Sequence, residues 1–183
     1  MDPANDADLI GLFRDPAQRD RAFRMILEKY QEKLYWHIRR MVLIHEDTDD
    51  VLQNTFIKIW KGLPGFRETS ELYTWMYRIA TNEAITFLKA RQREKGLVAD
   101  DPDDSIKDRL KSDPYFDGDE LALKLQKAID ALPPKQKVVF QLKYFDEMTY
   151  EEMAQNLGTS IGALKASYFH AVKKIQSSFE AND

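Results

Sequence analysis

The sequence predicts an all-α protein built from two small helical domains joined by an acidic flexible linker. Three observations lead there. Apolar residues recur at steps of three and four through both halves, the period of a helix with one buried face. No segment alternates apolar and polar residues between hairpin turns, as strands of a sheet would. Residues 97–118, LVADDPDDSIKDRLKSDPYFDG, have no sustained period, two prolines and a heavy aspartate load. Such a segment cannot bury enough apolar surface to order itself and is expected to be at least partly disordered. The expected units are therefore 1–95 and 119–183, with 96–118 as the linker.

Residues 9–45 read as helical. Phe23, Ile26, Leu27, Tyr30, Leu34, Ile38 and Met41 form an amphipathic stripe. Asp47, Thr48 and Asp49 offer capping side chains for the next helix. That helix runs from Asp49 to about Leu63, with Leu52, Phe56, Ile59 and Leu63 on one face. Asp50, Gln53, Ile57 and Lys61 share another, with Trp60 at its edge. An isoleucine among polar neighbours suits partner docking, although a single exposed apolar residue is normal on any surface.

Gly62-Leu63-Pro64-Gly65 stacks turn formers where the helix must stop. A polar loop, Phe66-Arg67-Glu68-Thr69-Ser70, leads into a helix crowded with Tyr73, Trp75 and Tyr77. Successive pairs of these lie roughly 200° apart around a helix, so they cannot all face one core. With Arg67, Arg78 and Asn82 nearby, exposed rings would suit unstacked bases: π-faces for stacking, amide and guanidinium groups for base edges. Most of these rings, Trp75 in particular, are expected instead to pack between the N-terminal helices. The helix continues through Ile79, Ala80, Ala84, Ile85 and Leu88. It ends in Lys89, Arg91, Arg93 and Lys95 before Gly96, cations matched to a helix C-terminus.

In the second unit Leu121, Leu125, Ala128, Ile129 and Leu132 make one stripe. Pro133-Pro134 stops that helix and can start the next, which carries Val138, Val139, Leu142 and Tyr144. Thr149-Tyr150-Glu151-Glu152 is a capping box. A short helix through Met153, Ala154 and Leu157 follows, then a turn at Gly158 and a cap at Ser160. A short capped helix, a glycine turn and a longer helix have the grammar of a helix-turn-helix. In the last helix Ile161, Leu164, Tyr168, Ala171, Val172 and Ile175 face inward. Gly162, Ala163, Ala166, Ser167, His170, Lys173 and Lys174 face outward, small residues first and basic ones later, as groove insertion requires. A helical hairpin with merely solvated lysines fits the same pattern.

The formal net charge of −4 argues at first against nucleic acid, but residues 96–120 alone carry nine acids against three bases. The flanking parts are near neutral and can present local basic faces. The chain has no cysteine, which excludes disulfides and thiolate metal sites and fits a reducing compartment. No apolar run approaches the ~20 residues of a membrane span, and MDPANDADLIGLF lacks a signal-peptide layout. A cytoplasmic protein without membrane insertion is expected. His37, His45 and His170 are scattered, and there is no Gly-rich phosphate loop and no plausible triad. Catalytic residues, metal ligands and cofactors are all expected to be none.

DDVLQNTFIKIWKGLPGFRETSELYTWMYRIATNEAITFL resembles region 2 of the extracytoplasmic-function sigma factors of bacterial RNA polymerase. The likeness rests on Asp50, Gln53, Phe56, Trp60, Phe66-Arg67, Tyr73-Thr74-Trp75, Tyr77-Arg78-Ile79-Ala80 and Asn82. LPPKQKVVFQLKYFDEMTYEEMAQNLGTSIGALKASYFHAVKKI resembles region 4, and together the likeness covers about 22–178. It implies an alternative sigma factor with no active site of its own. Asp50, Gln53, Ile57, Trp60 and Lys61 would dock on the clamp helices of the polymerase largest subunit, with a further contact to the flap. Phe66, Arg67, Ser70, Arg78, Asn82, Lys89 and Arg91 would hold the melted −10 strand, one base flipped into the loop. Ser160, Ala163, Lys165, Ser167, His170 and Lys173 would meet the −35 element. Ser167 stands where many members have an arginine, which implies weaker or differently specific base readout there. The acidic linker would thread the polymerase channel toward the RNA path. Members are usually held inactive by an anti-sigma factor, so one is implied as a partner. A stand-alone helix-turn-helix regulator would explain 119–183 but not Asp49–Asn82.

Overall fold

The computed structural model describes residues 5–95 and 120–180; the expected linker, 96–118, lies outside them. Helices account for nearly all of the described chain, with no strand among the described residues.

Helix α1 (Asp6–Arg14) starts where the Asn5 side chain accepts the Asp8 N–H at 2.8 Å. It stops at Asp15, in extended backbone just before Pro16. Helix α2 (Arg19–Val42) follows, so the helical stretch expected over 9–45 is interrupted after Arg14, where proline removes a backbone donor. Helix α2 ends at Leu43, whose φ of 74° lies in the left-handed region. A leucine pays about 1–2 kcal/mol there. Burial offsets that cost: Leu43 and Ile44 are both enclosed, with Leu123 packed on them.

Helix α3 (His45–Gly62) begins a turn earlier than Asp49. Thr48 is thereby inside the helix, not at its cap, and its hydroxyl donates back to the Ile44 carbonyl at 2.6 Å. Thr55 does the same to Val51 at 2.7 Å. These local bonds satisfy the hydroxyls and let threonine go inward. The buried face is consequently Thr48, Val51, Thr55 and Ile59, while Leu52 and Phe56 sit half-buried at its flank. A 3₁₀ turn, Leu63–Gly65, and an irregular loop lead to α4 (Leu72–Lys95). Helix α1 packs on α2, and α2, α3 and α4 pack on one another.

The second group comprises α5 (Glu120–Asp130), α6 (Pro134–Tyr144), α7 (Tyr150–Leu157) and α8 (Ile161–Glu180). Pro134 occupies the first turn of α6, as expected. The Thr149–Glu152 capping box is present with both of its reciprocal bonds, and Gly158 closes α7 at φ 60°. Helices α5, α6 and α7 all pack on α8. Two residues of the expected apolar stripes point outward instead: Leu121 is 63% exposed and Tyr144 56%.

The two groups share a core. Val138, Val139, Leu142, Met153 and Leu164 belong to the same buried cluster as Ile26, Leu34, Ile38, Met76, Ala80 and Ala84. Helices α6 and α7 rest on α4, and α6 also touches α2. A smaller cluster within the second group gathers Ala128, Ile129, Leu132, Phe140, Ala171 and Ile175.

Candidate nucleic-acid interface

Three exposed faces carry the residues singled out from the sequence. The first lies on α3. Asp50, Gln53, Ile57 and Lys61 are all exposed, Ile57 at 45%. They line up because the opposite side of α3 is held inward by Val51 and Ile59. Trp60 is different: it is half-buried, with its ring 5.1 Å from Phe13 and 4.9 Å from Phe23, edge-on to both. It shapes the edge of this face from below.

The second face is the loop after the 3₁₀ turn together with α4. Phe66 is only 6% exposed and packs 5.0 Å from Trp75. Its ring belongs to the buried core. Its carbonyl accepts from Arg14 at 3.3 Å, and Arg14 also pairs with Glu68 at 2.8 Å. The loop is thereby tied to α1, leaving Arg67 and Ser70 exposed. On α4, Arg78, Asn82 and Lys89 are exposed along one stripe, which Thr74, Thr86 and Arg93 extend. Thr86 is not singled out by the sequence, and Thr74 only as part of the Tyr73-Thr74-Trp75 motif, although their steps of four to Asn82 and Arg78 place both on this stripe. Arg91 turns aside to Asp47 at 3.3 Å and is half-buried.

The aromatic surplus of α4 is largely internal. Tyr73 stacks on Tyr30 at 5.7 Å, Trp75 lies on Phe66, and Tyr77 is buried. The Tyr77 ring stacks on His37 at 3.8 Å, and its hydroxyl donates to Asp146 at 2.6 Å. Burial, then the nearby Asp146 charge, push its phenol well above its usual value, so it keeps its proton.

The third face is on α8. Ser160 caps the helix by accepting the Ala163 N–H at 3.3 Å. Ser160, Lys165, His170 and Lys173 are exposed, and Ala163 and Ser167 are half-buried. No acid occurs in Ile161–Phe179, so the face presents no negative charge between those residues. Phe169, 54% exposed, stands among them with the Lys173 ammonium 4.8 Å over its ring. It too was missed, because Tyr168 beside it takes the inward position.

The histidines stay apart: His37 is buried, His45 sits beside Tyr35, and His170 is on the surface. Among the described residues no group of acids and histidines could hold a metal ion, and no helix is long and apolar enough to cross a membrane.

Residues 26–94 match the family model described as sigma-70 region 2, and residues 122–175 match that of sigma-70, region 4. The RNA polymerase sigma-H factor of Pseudomonas aeruginosa is 31% identical over 168 residues, covering 87% of each chain. The ECF RNA polymerase sigma-E factor of Haemophilus influenzae is 27% identical, covering 87% of this chain and 88% of its own. The chain belongs to the extracytoplasmic-function sigma factors of the sigma-70 family. It is an alternative sigma factor that directs promoter-specific transcription initiation.

Solved structures share the fold of this sigma factor. The sigma factor RpoE of Bartonella quintana, in complex with the anti-sigma factor NepR, aligns with a TM-score of 0.64 at 22% identity, covering 88% of this chain and 98% of its own. CnrH in complex with the cytosolic domain of CnrY aligns at 0.62 and 21% identity, covering 97% and 99%.

Proposed function

We propose that the three exposed faces divide the work of initiation. The α3 face, Asp50, Gln53, Ile57 and Lys61 with Trp60 behind it, docks on the clamp helices of core RNA polymerase. The loop at Arg67 and Ser70 and the α4 stripe Arg78, Asn82 and Lys89 hold the opened −10 strand. Phe66 and Arg91 support that surface from beneath. Helix α8 enters the major groove at the −35 element through Ser160, Ala163, Lys165, Ser167, His170 and Lys173, with Phe169 available for a thymine methyl. In this reading 1–95 and 119–183 are the two functional units, and 96–118 joins them through the polymerase channel, with a flap contact for the second.

The observation that carries this reading is the placement of the α3 face and the α4 stripe on two helices packed directly on each other. A polymerase bound to one presents the strand to the other. The linked contacts each raise the effective concentration of the rest, and a pocketed base offsets an unstacking cost of a few kcal/mol. The sigma factor does no chemistry; nucleotide addition belongs to the polymerase, in the cytoplasm. RpoE and CnrH were solved with NepR and with CnrY, which supports an anti-sigma partner for this chain as well.

Run-off transcription with core polymerase on a promoter library tests the whole assignment. A defined subset of promoters should fire. Gln53→Ala with Ile57→Ala should weaken core binding by about 10-fold or more, as loss of a central docking side chain does. Unchanged affinity in a titration would count against the α3 assignment.

A further inference from the structure

We propose that Asp146 is an interdomain latch that holds the free protein in a closed form unable to span both promoter elements. This rests on the sigma-factor roles proposed above and adds a self-inhibitory contact to them. Asp146 lies in the loop between α6 and α7, yet its carboxylate is satisfied by the other helical group. It accepts from Tyr77 at 2.6 Å, from His37 Nδ1 at 3.1 Å and from Arg40 at 2.8 Å. Gln141 adds a bond from α6 to the Arg40 carbonyl.

The chemistry around the latch is closed on itself. A carboxylate only accepts, so His37 Nδ1 carries the proton. The neutral ring then accepts at Nε2 from the Thr81 hydroxyl, 2.8 Å away. The hydroxyl also lies 2.9 Å from the Tyr77 carbonyl and has one proton for either. Among the described residues, the side chains donating to Asp146 come from α2 and α4, the latter being the helix of the proposed −10 stripe.

Size makes closure inhibitory. Elements named for positions about 25 base pairs apart are separated by roughly 85 Å of duplex at 3.4 Å per step. A compact chain of 183 residues has a radius of gyration of about 16 Å, hence a diameter of about 40 Å. The closed molecule therefore cannot reach both. The 24 residues between Lys95 and Glu120 can stretch to at most ~80 Å, enough once α6 and α7 leave α4. The latch can be reached from outside. It lies on a cleft of about 540 Å³ whose walls include Lys33, Tyr73, Glu152 and Gln155, and the Asp146 side chain keeps 15% of its exposure.

The chain lacks cysteine, so dyes can be placed at Glu28→Cys and Gln176→Cys, both exposed and one on each helical group. Energy transfer in the free full-length protein reads closure, and titration with core polymerase reads availability. Asp146→Ala should keep its helical circular dichroism and lower the closed-to-open ratio by about tenfold or more, the effect of one charge-assisted hydrogen bond. Core affinity should rise with it, because apparent affinity scales with the open fraction. Tyr77→Phe keeps the ring stack on His37, loses one donor, and should shift both readings the same way by less. It decides the matter if Asp146→Ala loses its helices. Transfer unchanged from the parent in the folded variant overturns the latch. Transfer that falls with no gain in core affinity overturns its inhibitory role. If the parent itself does not bind core polymerase, the proposed function fails and the inhibitory role with it, while the transfer arm still reads the contact.

Discussion

Gly62 has no room for a side chain. A Cβ there would meet Trp75 Cζ2 at 3.0 Å and Cη2 at 3.3 Å, and Trp75 cannot retreat because Phe66 lies against it. The backbone is helical at Gly62, φ −87° and ψ −24°, so conformation is not what demands glycine; space is. Gly62→Ala should cost about 1–3 kcal/mol, the range for overpacking. Gly11, within α1, has nothing within 4 Å of its Cβ position. Gly11→Ala should instead stabilise by about 0.5–1 kcal/mol. Urea unfolding of the two variants checks both signs. The tight pair also explains Phe66: the residue at the head of the proposed base-holding loop is an anchor, and the loop's polar side chains are exposed because that anchor is sunk.

At the scale of the element, α8 carries a core face on one side and the proposed groove face on the other. Leu164, Ala171 and Ile175 fix its inner face, and every cation on it is left outside. Lys173 is exposed and leans over Phe169, where it suits a phosphate contact. Such contacts position without specifying sequence. Lys173→Ala should weaken promoter binding by the holoenzyme uniformly and reduce the salt slope of log K by about 1. Titrations at several salt concentrations measure this, and a switch in the preferred −35 sequence would contradict it. Helix α3 teaches the complementary lesson. Apolar spacing alone placed Leu52 and Phe56 in its core. The structure buries Thr48 and Thr55 instead, because a threonine that bonds its own helix backbone no longer needs water.

At the scale of the whole molecule the packing of the two helical groups should be sensitive to protons. His37 is enclosed; burial pushes its imidazole below the usual value and Arg40 adds to that, while Asp146 opposes it. Burial works to raise Asp146, but hydrogen bonds from His37 and Tyr77 and the Arg40 charge outweigh it, leaving the carboxyl below its usual range. The groups facing His37 from the packed elements are Asp146, Arg40, Tyr77 and Thr81. Both His37 and Asp146 bind a proton more readily when released than when packed, so the packing is favoured at higher pH and lost as pH falls. The His37 share begins to go below about pH 6.5, the Asp146 share only below about pH 4. Thermal melts should therefore show a lower midpoint at about pH 5.5 than at about pH 7.5. A flat profile would contradict the arrangement.

The sequence by itself determined the helical class, the helix that starts at Pro134, the Thr149 capping box and the turn at Gly158. It also determined the faces of α8 and the exposed set Asp50, Gln53, Ile57 and Lys61. All of these are local: period, capping chemistry and proline or glycine geometry act within a few residues. Only the tertiary structure decided that Phe66 turns inward, that Tyr77 is buried against His37, that Arg91 pairs with Asp47, and that Asp146 reaches across to His37. Those outcomes join residues from nine to more than a hundred positions apart. Which of two possible faces an aromatic takes, or which carboxylate a histidine meets, depends on the surface brought to it, and no spacing along one helix contains that surface.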